Sequence, residues 1–277
     1  MSNLLFAARR ALFSQPLGMT INILKRKLLP KKAGGQKPAA QLPIDSLYGI
    51  DTGGIINASA LRTGSASDVH SFGYGASLPS VIRRGIEACP NLDQATFIDM
   101  GCGKGLPLAV ASEYPFRRII GVELSPDLCA VARRNAETIA ARFPERTRIE
   151  IAQDDIIAFD LPAGYVIVYL YNPAYPPLIS RLVPRLAEHQ ARGGKVMVVY
   201  YNPACAKFFD REPAFARYFA QHLQFDEAEI AASPLGNTAD SVAIWQGIGE
   251  PMYPPHPGAE APIDVVAGGS SGEVRRV

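Results

Sequence analysis

Phe97-Ile98-Asp99-Met100-Gly101-Cys102-Gly103-Lys104-Gly105 decides the reading of this chain. An apolar run passes into a bend with glycine at every second position, and the apolar stretch Leu106–Glu113 follows with helical character. A strand that ends in such a bend and re-enters a helix brings bare backbone against a ligand, because glycine has no Cβ and tolerates positive φ. The spacing is GxGxG rather than the GxGxxG that seats a dinucleotide pyrophosphate. Asp99, two residues ahead of the first glycine, would repel a pyrophosphate but could accept hydrogen bonds from a cationic amino group.

Working outward, a βα rhythm surrounds this segment. Ser77–Ser80 opens a helix with apolar residues at Val81, Ile82 and Ile86, ended by Pro90. Strands are predicted at Thr96–Met100, Arg118–Leu124, Arg148–Ala152, Tyr165–Tyr171 and Lys195–Tyr201. Helices are predicted at Pro126–Arg142, with Ser125 as its cap, at Pro177–His189, and over 204–220. Two last strands, 223–231 and 240–246, joined through Pro234–Asn237 with no helix between them, predict an antiparallel pair at one edge. Alternating strands and helices imply a mostly parallel sheet with right-handed crossovers.

Two acidic positions complete the ligand reading. Glu123 closes the second strand, where a carboxylate can accept both hydroxyls of a ribose. Asp154 and Asp155 follow the third strand, placed for an adenine amino group, although acids at strand ends also serve simply as turn formers. An ammonium, a carboxylate, a ribose and an adenine together describe S-adenosylmethionine. Asp99, Gly101, Gly103, Gly105, Glu123, Asp154 and Asp155 are the expected cofactor residues.

On Asp99-x-Gly101-x-Gly103-x-Gly105, Glu123, Asp155 and Asn172-Pro173, residues 75–247 resemble the class I S-adenosylmethionine-dependent methyltransferases. The stretch Ala111–Pro126 and the upstream Asp51-Thr52-Gly53-Gly54 are similar to a largely uncharacterised bacterial group among them. The resemblance implies an α/β fold: a seven-stranded, mostly parallel Rossmann-like sheet, helices on both faces and an antiparallel edge strand. It also implies a methyl-transferring enzyme.

Amino-methylating relatives carry Asn/Asp-Pro-Pro-Tyr/Phe after strand four, where the Asn positions the target nitrogen and the aromatic ring packs on it. Asn172-Pro173-Ala174-Tyr175 matches three of these four positions, making Asn172 and Tyr175 the candidate catalytic residues. The same pair also reads as a plain strand-ending turn, since proline ends the ladder and holds its predecessor extended. Tyr201-Asn202-Pro203-Ala204 repeats the tetrapeptide after strand five and is read as such a turn. Tyr74-Gly75-Ala76-Ser77 stands where related lysine methyltransferases have Tyr-x-Pro-Thr/Ser, so Tyr74 is expected to cover the acceptor site. The expected acceptor is a nitrogen of a protein, lysine-like, or of a small molecule.

Charge divides the chain. Residues 1–44 hold eight basic side chains and no acid; the remainder holds 20 bases against 26 acids. Such an arm suits weak contact with an anionic surface through residues 1–37, or recruitment of a nucleic acid for methylation, or loose packing on the acidic body. A non-catalytic cofactor-binding module is the remaining alternative. The expected layout is arm and linker 1–44, loop and helix cover 45–95, methyltransferase domain 96–249, and a disordered tail 250–277 with five prolines and four glycines.

Other classes are excluded. No apolar stretch reaches the eighteen or so residues of a membrane span, and the arm lacks the h-region of a secretory signal. A cytoplasmic protein is expected, one that the arm could bring to a membrane surface. Four scattered cysteines without CxxC and four histidines without HExxH argue against disulfide scaffolds and zinc. Gly268, Ser270 and Gly272 form a GxSxG in a Gly/Ser run without the strand–turn–helix a nucleophile elbow needs.

Overall fold

The computed structural model describes residues 42–57, 60–61, 73–171, 176–232, 238–249, 253–266 and 274–276. Most of the basic arm, Asn172, Tyr175, the 234–237 connection and the GxSxG run lie outside them. A short helix α1 (Pro43–Tyr48) and a small antiparallel pair, β1 (Ile55–Ile56) and β2 (Tyr74–Gly75), precede α2 (Pro79–Glu87). Then come β3 (Thr96–Met100), α3 (Leu106–Ala111), β4 (Arg118–Glu123), α4 (Pro126–Arg142), β5 (Ile149–Gln153) and β6 (Tyr165–Tyr171). The chain continues through α5 (Pro176–Ala191), β7 (Lys195–Tyr201), α6 (Ala206–Asp210), β8 (Phe215–Gln224), α7 (Glu227–Ala232) and β9 (Ala239–Gly247).

Seven strands form one sheet in the order β5-β4-β3-β6-β7-β9-β8. The five strands β5 to β7 are mutually parallel; β9 runs antiparallel to both β7 and β8. The antiparallel pair thus forms one edge, with β9 its inner member. The chain leaves β3 toward β4 on one side and returns to β6 on the other. The crevice above that reversal is where open α/β sheets bind ligands.

The central strands are buried on both faces, as their unbroken apolar runs require. On one face Phe97, Ile119, Ile167, Val199 and Ile244 pack with Ile82 and Ile86 of α2, Leu108 of α3 and Ile139 of α4. On the other Ile98, Ile120, Val168, Val198 and Trp245 pack with Ile179, Leu182 and Leu186 of α5 and Phe209 of α6. Among the described residues no helix is long and apolar enough to cross a membrane.

Four expectations change. The helix over 204–220 is only α6; Phe215–Gln224 is strand. Glu212-Pro213 interrupts it, since the residue before proline leaves the helical region, and pairing with β9 claims the rest. A helix, α7, does separate the last two strands. The expected loop and linker around residue 44 contain α1, whose Ile44 and Tyr48 join the core together with Leu42.

The tail is folded over 253–266. Ile263 and Val265 are buried beside Trp245, and β10 (Asp264–Val266) pairs antiparallel with β11 (Val274–Arg276). His256 N donates to Tyr218 O (3.0 Å), and Ala220 N donates to Gly258 O (3.0 Å). Proline lacks a donor, but the carbonyls and amides around it remain available to the outer edge of β8.

Candidate functional site

The bend after β3 is held by main-chain bonds to its neighbour. Gly101 N and Cys102 N both donate to Val122 O, at 2.8 and 3.0 Å. Gly101, Gly103 and Gly105 have φ of 86°, 56° and 88°, so all three sit in the left-handed region that other residues enter only at a cost. Gly103 has a second reason to lack a side chain. A Cβ there would lie 2.4 Å from Tyr74 Cε2, so the Tyr74 ring rests directly on the bend.

Glu123, at the end of β4, accepts from Gly103 N (2.9 Å) and Ser125 N (2.8 Å). Burial nevertheless lifts its carboxyl above the usual range. It ties the glycine bend to the start of α4, and its remaining lone pairs are free to face a ligand. Asp99 is 2% exposed, and its Oδ2 has no hydrogen-bond partner among the described residues. Burial first, and Glu123 second, push the Asp99 carboxyl well above its ordinary value. A charge left unpaired in a protein interior is costly, so the ionised form of this carboxyl gains from a cation beside it.

Asp154 and Asp155 lie just past β5. Asp154 N donates to Glu123 O (3.0 Å), which brings the two acidic ends together. Asp154 Oδ1 accepts from Asp155 N (2.7 Å), and Asp155 Oδ1 accepts from Ile157 N (2.9 Å). Both carboxylates therefore shape the turn that follows, whatever else they contact.

Sequence reasoning missed the clamp that fastens the upstream segment to this bend. Asp45 of α1 accepts from Thr52 N and Gly53 N, at 3.1 and 3.0 Å, and Tyr74 Oη donates to Thr52 O. Lys104 Nζ reaches Asp51 Oδ1 (2.9 Å) and Gly53 O (2.8 Å). Asn135 of α4 donates to both Asp51 O and Lys104 O, each at 2.9 Å. Lys104 stands between two glycines of the bend, and Asn135 is one polar residue on a helix. Only the Asp51–Gly54 stretch signalled that something was held here.

Asn202 corrects a further expectation. It was read as an extended residue before Pro203, yet its φ is 46°. Asn202 N donates to Ser241 O (2.8 Å) and Ala204 N to Asn202 O (2.7 Å). Asparagine tolerates this region better than most residues. Nearby, the rings of Tyr171 and Tyr201 stack at 4.2 Å and 11° at the carboxyl ends of β6 and β7.

Residues 98–171 match a protein-family model described as a methyltransferase domain. The segment is thus similar to methyltransferase domains, and the seven-stranded sheet around it has the Rossmann-like fold of class I methyltransferases that use S-adenosylmethionine. The release factor glutamine methyltransferase of Geobacter sulfurreducens is 31% identical over 128 residues, covering 42% of this chain and 42% of that protein. The 4-amino-L-phenylalanine/4-methylamino-L-phenylalanine methyltransferase of Streptomyces pristinaespiralis is 31% identical over 116 residues, covering 41% and 35%. The ribosomal protein L11 methyltransferase of Lacticaseibacillus paracasei is 34% identical over 112 residues, covering 40% and 31%. The chain spans less than half the length of each of these relatives.

The residues present fit that cofactor. Asp99 Oδ2, a buried carboxyl oxygen without a partner among the described residues, offers an acceptor to the ammonium that the cofactor carries. The glycine bend offers backbone that no Cβ shields.

Proposed function

We propose that the protein is an S-adenosylmethionine-dependent methyltransferase that methylates a nitrogen of a protein, lysine-like, or of a small molecule. The observation that carries the cofactor assignment is Asp99: a buried carboxyl, its Oδ2 without a partner among the described residues, ahead of three left-handed glycines. Asp99 would take the ammonium of the cofactor, Glu123 its ribose hydroxyls, and the turn at Asp154 and Asp155 its adenine. Gly101, Gly103 and Gly105 would line it with backbone. Bound there, the cofactor supplies a methyl on a sulfonium, and a nitrogen–carbon bond forms as carbon–sulfur breaks, the electron pair staying on sulfur.

The nitrogen assignment rests on Asn172-Pro173-Ala174-Tyr175 and on the names of the relatives. Those names specify a release factor glutamine, an amino-phenylalanine and a ribosomal protein. In this reading the Asn172 side-chain oxygen accepts from the acceptor N–H and aims its lone pair, while Tyr175 packs on it. Tyr74, fixed over Gly103, closes the site against water. In-line displacement gains most from such alignment.

The test is calorimetry of the purified chain with S-adenosylmethionine and S-adenosylhomocysteine, followed by methyl-labelled transfer into heat-inactivated cell extract. Binding of both nucleosides, and label that survives mild alkali as methylamines do and methyl esters do not, is the expected result. Failure to bind either nucleoside rejects the cofactor assignment; alkali-labile label rejects nitrogen as the target. Label confined to nucleic acid rejects a protein or small-molecule acceptor.

A further inference from the structure

Asp240 is a second buried carboxylate at the same sheet edge, and nothing described so far employs it. It is 1% exposed, and its Oδ2 has no partner among the described residues. Its Oδ1 accepts from Ser241 N (2.8 Å). β9 runs antiparallel to β7 with Val242 opposite Tyr201. Asp240 therefore lies just beyond the carboxyl end of β7, level with the ends of the parallel strands.

Alternation places Asp240 on the face of Val242 and Ile244, which is the face of Tyr169, Tyr201 and α2. Phe97 is on that face too, so Asp99 is as well. The phenol of Tyr169, whose Oη donates to Ser77 Oγ (3.2 Å), feels the charge of both Asp99 and Asp240. Tyr171 and Tyr201 feel Asp240 as well, and Tyr201 also feels Glu229. Glu229 of α7 accepts from Ser80 N of α2 (3.1 Å). On the far side, Ser241 Oγ meets His222 Nδ1 (3.1 Å). Among the described residues, the charged groups that act most strongly on this tyrosine cluster are the acids Asp99, Asp240 and Glu229.

We infer that Asp240, with the stacked Tyr171 and Tyr201 beside it, is the acceptor-amine site: it binds the incoming ammonium and takes its proton. This rests on the nitrogen reading above. Tyr171 keeps partial solvent exposure, so an amine on a flexible stem can enter beside that ring. The face of the Tyr171 ring that the Tyr201 stack leaves uncovered suits a cation. Because an ammonium has no lone pair, it cannot attack a methyl group. One proton passes from nitrogen to Asp240 Oδ2, the nitrogen keeps the electron pair, and Asp240 releases the proton to water when the product leaves. Asp99 and Asp240 thus divide two cations between them, one at the glycine bend and one at the β7–β9 edge. Burial raises the Asp240 carboxyl to about 7, opposed only by the Ser241 N–H. That value suits a base working near neutrality.

The experiment uses the full chain, saturating S-adenosylmethionine, and heat-inactivated extract protein as the amine probe, read as alkali-stable label across pH. In the wild type the rate rises with pH through about 7, as Asp240 ionises. Asp240→Asn is expected to lower the rate by about 10²-fold and to abolish that rise, while its affinity for S-adenosylhomocysteine stays unchanged. Unchanged affinity also shows that the variant is folded. An Asp240→Asn protein with wild-type rate, or with the same pH profile at a reduced rate, overturns this inference and leaves the nitrogen reading intact. Alkali-labile label from the wild type overturns the nitrogen reading, and this inference with it.

Discussion

At the scale of the residue, the site is built from groups that fit poorly in a folded protein alone. Gly103 carries φ of 56° and supports Tyr74 at a distance no Cβ allows. Gly103→Ala should therefore cost about 1–3 kcal/mol in backbone strain and displace Tyr74. The expected results are a lower thermal midpoint and weaker S-adenosylmethionine binding by calorimetry; a variant equal to wild type in both would show that Tyr74 does not rest there. Burial raises the Asp99 carboxyl, and a bound cation favours its ionised form. S-adenosylmethionine affinity should rise with pH in the wild type and lose that dependence in Asp99→Asn, which titration calorimetry at several pH values checks. Asp240 makes a stability prediction that needs no substrate. Its carboxyl is raised from 3.8 to about 7 in the fold, so the folded state holds the proton longer than the unfolded chain does. The resulting stabilisation is complete below about pH 4 and is lost as pH rises through about 7. Urea unfolding should find Asp240→Asn gaining on the wild type across that window; a constant difference between the two would contradict the raised value.

At the scale of the element, most boundaries were legible because local chemistry and tertiary demand agree. Ser125 does cap α4, accepting from Leu128 N at 3.4 Å, and α4 runs over Pro126–Arg142 as its periodicity predicts. β6 and β7 match their apolar runs, since a strand covered on both faces needs nothing else. β8 was misread because its alternation is interrupted: the pairing with β9 shifts register between Arg217 and Phe219. The break lets apolar residues recur at helix-like spacing in what is a strand. α5 contains Pro184 in its interior, on an exposed position. An interior proline removes a helical hydrogen bond and clashes with the preceding turn. Pro184→Ala should thus raise stability by about 1–3 kcal/mol without loss of packing, read as a higher thermal midpoint. An unchanged or lower midpoint would mean that Pro184 itself contributes to the fold.

At the scale of the whole molecule, residues far apart in the chain meet at one edge of the sheet. Asp51 and Gly53 reach Lys104, and Asn135 on α4 joins the two. Tyr171, Tyr201 and Asp240 come from three strands of which the last enters from the opposite direction. The tail takes part in the same architecture. Its segment 253–266 covers the outer side of β8 and buries Ile263 and Val265 against Trp245. An uncovered edge strand is a template for association with another chain. Ending the chain after Gly249 should therefore lower the thermal midpoint and promote oligomers visible in light scattering. A monomeric truncation with an unchanged midpoint would show that the tail adds nothing to the core.

The cofactor half of the site was open to reading from the sequence alone, because its chemistry is local. Three glycines and two acids within 25 residues, Asp99 to Glu123, specify a bend suited to a cationic nucleoside, and strand–bend–helix order orients them without help from elsewhere. The acceptor half was not open in the same way. Asp240 is one acid in a stretch of strand, and Tyr171 and Tyr201 are thirty residues apart. They acquire the shared role proposed for them only when β9 inserts antiparallel beside β7 and burial removes the water that would otherwise satisfy the carboxylate. Sheet order and desolvation are properties of the folded whole, and no window of sequence carries them.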